Sequence, residues 1–189
     1  MSTLPPTTRA DYPHVGSVST RWNDNDRYGH VNNAVYYQYF DSVINEVLIH
    51  QGGLDIHRGE VVGFIVRSEC DFLAPVAYPG LLEVGVVVRR LGRSSVTYET
   101  ALLRPGEDRP AAIGRMVHVF GDTAAGRPTD IPASIRAVLE RLDTARQRVA
   151  AIGQGQAGRI EVGLSGSHFL GPFPAPLARY RQSHPAGDG

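Results

Sequence analysis

The sequence predicts an α+β protein in which one antiparallel sheet covers a single long, buried helix. A helical segment ending near His50 carries an unusually wide apolar stripe, which indicates burial against more than one surface. Four strand-like segments rich in Val, Thr and aromatic residues follow it, with short turns that favour antiparallel pairing. A further strand precedes the helix. Since a lone sheet must cover one face, we expect the helix to lie across it.

The chain before the helix divides into three parts. Residues 1–13 contain three prolines and several threonines, and we expect a loose leader there. Residues 14–23 alternate in the manner of a strand. Residues 23–30 are polar almost throughout, and we expect no regular structure in them.

The predicted helix has a start signal and a stop signal. Asn32 or Asn33 can cap its N-terminus, because a short side-chain oxygen satisfies a free backbone amide there. Gly52 and Gly53 end it. Its apolar stripe consists of Val35, Tyr36, Tyr39, Phe40, Val43, Ile44, Val47 and Leu48, widened by Tyr37.

The rest of the chain predicts strands, a second helix and an extension. Turn residues separate four strands, predicted at Glu60–Phe72, Gly80–Leu91, Ser94–Leu103 and Pro110–Phe120. A second helix is predicted over 128–150, with Pro132 in its first turn. The predicted domain organisation is a leader over 1–13, one domain over 14–150 and a Gly/Pro-rich C-terminal extension over 151–189.

Composition excludes several classes of function. The formal net charge of zero argues against nucleic-acid binding, which normally requires a basic excess. The absence of Lys excludes a Lys Schiff base and a Walker-type phosphate loop. The single cysteine, Cys70, is expected to be a buried, unreactive thiol, and it allows no internal disulfide. The seven His residues show no metal-ligand spacing. We therefore expect no metal and no cofactor.

No segment of the chain has the character of a signal peptide or a membrane helix. The first residues lack the apolar core of a signal peptide, and no apolar run approaches the span of a membrane helix. We expect a cytoplasmic protein without a membrane partner.

Candidate chemistry is concentrated between Asp24 and Asn33, at the start of the buried helix. A helix N-terminus offers free N–H groups and partial positive charge, which can hold a carbonyl oxygen as negative charge develops on it. A nearby carboxylate such as Asp26 can attack the carbonyl carbon or deprotonate a water molecule. The residues alone leave alternatives open: both Asp residues can be turn residues, Asn32 and Asn33 caps, and His30 a structural hydrogen bonder.

The segment from Arg21 to Tyr37 resembles the signature of hotdog-fold thioesterases. It matches every fixed position of the pattern Asp-x-Asp-x-x-Gly-His-Val-Asn-Asn-x-x-Tyr found in the 4-hydroxybenzoyl-CoA and acyl-CoA thioesterase group. The resemblance extends from about His14 to Leu142. It implies an antiparallel sheet wrapped around a long central helix. It also implies a homodimer or homotetramer with active sites at the subunit interface.

The resemblance also implies roles for individual residues. Asp26 is expected to carry the hydrolysis, and the backbone amide near Asn33 to hold the thioester oxygen. His30 and Asn32 are expected to shape the substrate pocket, with Asp24 in a structural role. Gly29 lets the backbone approach a ligand closely. The aromatic residues of the helix, Tyr36 among them, are expected to line an aryl or alkyl pocket.

The expected function is hydrolysis of a fatty or aromatic acyl-CoA to the free acid and CoA. The alternative is a non-catalytic acyl-CoA-binding domain, which would not need the Asp26 carboxylate. An acyl dehydratase or hydratase of the same fold would carry a different motif, which the sequence lacks. Arg89, Arg90 and Arg93 are candidates for the CoA phosphates, because a guanidinium pairs well with phosphate.

Overall fold

The structure, a computed structural model, describes residues 7–153, with side chains described through residue 143. From residue 154 onward the predicted extension lies outside the described residues. The described residues up to Arg146 belong to one compact unit. No helix among the described residues combines the length and the hydropathy needed to cross a membrane.

The elements follow the predicted order of strand, helix, four strands and helix. Their bounds are β1 His14–Ser19, α1 Asn33–His50, β2 Val61–Phe72, β3 Leu81–Leu91, β4 Ser95–Leu103, β5 Ala112–Asp122, β6 Arg127–Pro128 and α2 Ala133–Gly153. Two predicted bounds were wrong. β1 ends at Ser19, since residues 22–24 form a 3₁₀ turn. Pro128 belongs to β6, and Pro132 precedes the second helix, its carbonyl accepting the Arg136 N–H at 2.8 Å.

The sheet is antiparallel throughout, in the order β1-β3-β4-β5-β2, with β6 on β5. The expectation that short turns join neighbouring strands fails between β2 and β3. β2 pairs instead with β5, at the opposite edge from β1. The connection over residues 73–80 therefore passes along the end of the sheet. Its buried residue Val76 accepts a 2.8 Å hydrogen bond from the Val31 N–H, which fixes this connection beside the start of α1.

The core lies between α1 and the concave face of the sheet. The buried residues of α1 are Tyr36, Tyr39, Phe40, Val43, Ile44, Val47 and Leu48. Two glycines permit the close approach of helix and sheet. A Cβ at Gly114 would lie 2.5 Å from the Phe40 ring, and one at Gly16 would lie 2.6 Å from Val43. The predicted wrapping of the sheet around one buried helix agrees with this arrangement.

The described part of the predicted leader packs on the convex face of the sheet. Tyr12 is buried against Gly85, and its hydroxyl donates to Glu99 at 3.3 Å. Arg9 forms an ion pair with Glu83. These contacts give residues 7–13 fixed positions, in contrast to the expectation of a loose segment.

Candidate active site

The polar segment before α1 is a tight hairpin, which corrects the expectation of no regular structure there. Asn25 and Val31 form an isolated antiparallel bridge. Within it the Asp26 N–H donates to the His30 carbonyl at 2.8 Å, and the Gly29 N–H donates to the Asp26 carbonyl at 3.1 Å. Gly29 has a φ of 81°, a conformation that costs a glycine little. The hairpin therefore fixes the backbone on both sides of Asp26.

The start of α1 shows which Asn caps the helix. The Asn32 side chain accepts the Ala34 N–H at 2.9 Å, so Asn32 is the N-cap. The N–H groups of Val31 and Asn32 are bonded to the Val76 and Asp24 carbonyls. The backbone N–H of Asn33 makes no hydrogen bond within the described residues. One donor at the positive end of the helix is thus available for a ligand.

Asp26 has one carboxylate oxygen engaged and one available. Its Oδ1 accepts the Tyr28 N–H at 2.8 Å, which orients the carboxylate within the hairpin. Its Oδ2 makes no hydrogen bond or ion pair within the described residues. The residue as a whole is half-buried.

Asp24 anchors the segment to the helix. It is only 6% exposed, and its Oδ2 accepts the Arg21 N–H at 2.6 Å and the Tyr39 hydroxyl at 2.5 Å. Its carbonyl accepts the Asn32 N–H at 2.8 Å. Burial first, and then the hydrogen bond to Asp24, raise the pKa of Tyr39, so its hydroxyl remains a donor. These contacts give Asp24 the bonding of a structural residue.

A cleft of about 310 Å³ opens beside the helix N-terminus. Three of the residues expected in the site, His30, Asn33 and Tyr36, line it. The opposite wall comes from residues 72–75, and the Phe72 ring meets Tyr36 edge-on with 5.0 Å between ring centroids. This wall was not predicted, although Ala74-Pro75 marked a turn in the sequence.

The other expected site residues are placed around this cleft rather than on its surface. Asp26, Gly29 and Asn32 do not line it, but the backbone hydrogen bond from Asp26 to His30 joins the Asp26 turn to its rim. A second cleft, of about 470 Å³, lies on the Asp24 side of the helix start, and none of the expected site residues lines it.

Two of the three candidate phosphate contacts are paired within the chain, and the cysteine is not a reactive thiol. Arg89 forms an ion pair with the buried Glu99, and Arg93 forms one with Asp130 at 2.9 Å, so these two are engaged within the chain. Arg90 is exposed, and its role as a phosphate contact stays a prediction. Burial raises the pKa of the half-buried Cys70 thiol to about 12, which keeps it protonated and unreactive. Within the described part of the chain, no group of three His, Cys, Asp or Glu side chains is placed to hold a metal ion.

Comparison with known proteins relates this fold and site to a family. The model of the thioesterase-like superfamily matches residues 20–139, which include the hairpin, α1 and the whole of β2 to β6. The PA5185 protein of Pseudomonas aeruginosa strain PAO1 is 50% identical, covering 74% of this chain and 97% of its own, with a TM-score of 0.72. A search of curated proteins found no match.

Two further solved structures share the architecture. A thioesterase from Thermus thermophilus, complexed with coenzyme A and Zn, is 33% identical, covers 68% of this chain and 98% of its own, and has a TM-score of 0.57. A gentisyl-coenzyme A thioesterase is 22% identical, covers 67% of this chain and 99% of its own, and has a TM-score of 0.60. It shows the same fold. The curled antiparallel sheet around α1 is the hotdog fold. The chain belongs to the thioesterase-like superfamily.

Proposed function

We propose that this protein hydrolyses acyl-CoA thioesters at the cleft beside the N-terminus of α1. One observation carries the proposal: the unpaired Asn33 N–H and the open oxygen of Asp26 belong to the same short segment, which joins the hairpin to the helix. The first can stabilise an oxyanion, and the second can act as base or nucleophile. Membership of the thioesterase-like superfamily supports this chemistry.

In the proposed reaction the thioester oxygen accepts a hydrogen bond from the Asn33 N–H. Asp26 then removes a proton from a water molecule, whose oxygen bonds to the carbonyl carbon. The negative charge moves to the thioester oxygen, the C–S bond breaks as the C=O bond reforms, and the thiolate leaving group takes up the proton. Alternatively an Asp26 oxygen attacks the carbon directly, expels the thiolate, and water hydrolyses the resulting anhydride. Both routes yield one free acid and one CoA.

The remaining residues of the site have supporting roles in this proposal. Tyr36 and Phe72 offer aromatic walls to the acyl group, and His30 forms the rim next to the Asp26 turn. Asn32 caps the helix through the Ala34 N–H, and the Asn33 N–H is left without a partner among the described residues. Gly29 gives the turn its conformation.

We further propose that the chain assembles as a homodimer or homotetramer through the free edge of β2. Long unpaired strand edges are usually protected in native proteins. β2 has twelve residues, is one end of the sheet order, and exposes Phe64, Ile65 and Val66. Its last residue, Phe72, lines the cleft, so a second copy paired there would border the active site.

The proposed location is the cytoplasm, and the proposed partners are acyl-CoA and further copies of the chain. The zero formal charge supports the view that neither nucleic acid nor an anionic membrane surface is a partner. The T. thermophilus thioesterase complexed with coenzyme A supports a CoA ester as the substrate.

The direct test is release of free thiol from a panel of acyl-CoAs of increasing chain length, together with aryl-CoAs. We expect turnover of at least one member by the purified full-length chain. Saturable binding without thiol release would instead identify a non-catalytic acyl-CoA-binding domain. Neither binding nor release across the panel would refute the proposed function. Light scattering at micromolar concentration tests the assembly, and a monomer would contradict it.

A further inference from the structure

The second cleft, which we call the Asp24 cleft, has no role in the proposed hydrolysis. Its volume of about 470 Å³ lies within the range of roughly 300–1,000 Å³ that is usual for small-molecule sites. No residue assigned to the thioester reaction lines it. Its lining residues are Arg21, Trp22, Asn23, Asp24, Val35 and Gln38. The chemistry of these side chains indicates what the cleft can bind.

The buried carboxylate of Asp24 has one oxygen left for a ligand. The residue is 6% exposed, and its Oδ2 is occupied by the Arg21 N–H and the Tyr39 hydroxyl. Its Oδ1 accepts no hydrogen bond from a described residue and is not enclosed by protein, so solvent reaches it where Asp24 lines the cleft. A ligand that covered this oxygen without donating to it would bind unfavourably. The cleft therefore selects a ligand with a hydrogen-bond donor at this point.

Trp22 gives the cleft an exposed aromatic wall. The residue is 78% exposed, and its ring meets that of Tyr78 at 87°, with 5.8 Å between the ring centroids. The Tyr78 N–H donates to Asn25 Oδ1 at 3.0 Å, which ties this neighbour to the polar segment. Because the two rings are nearly perpendicular, Tyr78 covers at most one face of the indole. The other face is available to a flat ring, and nucleobases stack favourably on aromatic side chains.

Arg21 supplies positive charge to the cleft. Its guanidinium forms no ion pair with a described residue, although it lies close enough to the Tyr39 hydroxyl to interact with it electrostatically. A guanidinium binds phosphate through paired, charge-assisted hydrogen bonds. The exposed Asn23 and Gln38 add amides that can both donate and accept. The cleft thus combines a flat wall, an acceptor oxygen, amides and a cation.

We propose that the Asp24 cleft binds an adenine nucleotide. The base stacks on Trp22, its amino group donates to Asp24 Oδ1, and the phosphate pairs with Arg21. Opposite charges in one cleft disfavour simpler ligands, because a plain cation is repelled by Arg21 and a plain anion by Asp24. An adenine nucleotide carries an uncharged donor at one end and an anion at the other, which matches both groups.

The nucleotide is a free molecule and not the nucleotide end of the CoA ester. The Asp24 cleft and the proposed active-site cleft share no lining residue. Between them the Asp24 carbonyl accepts the Asn32 N–H at 2.8 Å, and Asn25 bridges to Val31. These bonds close the gap between the polar segment and the helix, so a CoA ester held at the Asn33 N–H has no open path between the clefts. Both clefts can therefore be occupied at once.

Tryptophan fluorescence tests the site directly, because Trp22 is the only tryptophan of the chain. Titration of the full-length protein with adenosine monophosphate should quench the emission in a saturable manner, with a Kd below about 1 mM. Inosine monophosphate presents a carbonyl oxygen in place of the amino group and should bind about 10-fold or more weakly. Adenosine, which lacks the phosphate, should also bind about 10-fold or more weakly.

Two arginine variants separate a specific phosphate contact from general charge. Arg21→Gln keeps the backbone N–H that holds Asp24, and it should weaken the binding of adenosine monophosphate by about 10- to 100-fold while changing adenosine little. Arg27→Gln is the matched control, because it removes the same charge from an exposed residue of the same segment that does not line the cleft. This control should bind as the unaltered protein does.

A third variant tests the stacking wall. Trp22→Leu removes the indole and with it the fluorescence signal, so its affinity is measured by calorimetry. We expect a loss of about 10-fold or more, the effect of removing one base–aromatic stack.

Four results would overturn the inference. The first is no saturable quenching by adenosine monophosphate up to about 1 mM. The second is equal affinity for adenosine and inosine monophosphates, which would remove Asp24 from the site. The third is an equal loss in Arg21→Gln and Arg27→Gln, which would reduce binding to general charge. The fourth is an indole already shielded from a neutral quencher, which would assign Trp22 to a subunit contact.

Hydrolysis assays test whether the ligand is a free nucleotide. Adenosine monophosphate should leave the KM for the acyl-CoA substrate unchanged. A KM that rises with the nucleotide concentration would assign the cleft to the nucleotide end of CoA and contradict the inference. The fluorescence titrations need no turnover, so their result stands apart from the success or failure of the proposed hydrolysis.

Discussion

Tyr39→Phe tests how the active-site segment is anchored. The change removes the hydroxyl that donates to the buried Asp24 carboxylate at 2.5 Å and leaves the ring in place. Asp24 then keeps only the Arg21 N–H as a donor to its carboxylate among the described residues. A hydrogen bond to a charged group contributes about 1.5–3 kcal/mol, so we expect the free energy of unfolding to fall by about that amount. For a chain of this size, the corresponding fall in Tm is about 3–12 °C.

Equilibrium unfolding in urea, followed by far-UV circular dichroism, measures this loss. Tyr28→Phe is the control, because it removes the hydroxyl of a largely exposed tyrosine in the same segment and should change stability by less than about 0.5 kcal/mol. If Tyr39→Phe were as stable as the unaltered protein, Asp24 would not depend on Tyr39, and the anchoring argument would be wrong.

Three further predictions concern packing, the turn and pH. Gly114→Ala should lower the free energy of unfolding in urea by about 1–3 kcal/mol, because the added Cβ would clash with the Phe40 ring. An unchanged urea midpoint would contradict this packing. A Cβ at position 29 would meet no atom within 4 Å, but the φ of 81° is unfavourable for alanine. A thermal melt of Gly29→Ala should therefore show a loss of about 1–2 kcal/mol in the free energy of unfolding, and an unchanged melt would contradict the strain argument. Burial lowers the pKa of His118 in the folded protein to about 4, whereas an unperturbed histidine has a pKa of about 6.5. Between these two pH values the unfolded chain binds more protons than the folded chain, so acidification favours unfolding. The neutral imidazole therefore makes its full contribution to stability only above about pH 6.5. Stability should therefore fall across this window by up to about 3 kcal/mol more than in His118→Gln, and parallel pH profiles of the two proteins would contradict it.

Local signals in the sequence were sufficient to predict most of the elements. The cap at Asn32 and the glycines at 52 and 53 mark the ends of α1. The turn residues between the strands place their bounds within two residues of those observed. Strand order was not predictable in this way, because the pairing of β2 with β5 joins segments some fifty residues apart and no local pattern encodes it.

The site was predictable in part for the same reason. His30, Asn33 and Tyr36 lie within one short motif, so their convergence on the cleft follows from the start of the helix. The wall at Phe72 depends on where β2 ends in the sheet, which is a tertiary property.

The turnover of Asp26→Asn tests the central claim most directly. Asn can still accept the Tyr28 N–H through Oδ1, so the hairpin should persist, but the charge and basicity are lost. We expect kcat for thiol release to fall at least about 100-fold, the typical cost of losing a general base, with Tm and acyl-CoA affinity nearly unchanged. Asp24→Asn, the matched control, should act mainly through stability. Near-normal turnover by a folded Asp26→Asn protein would contradict the account.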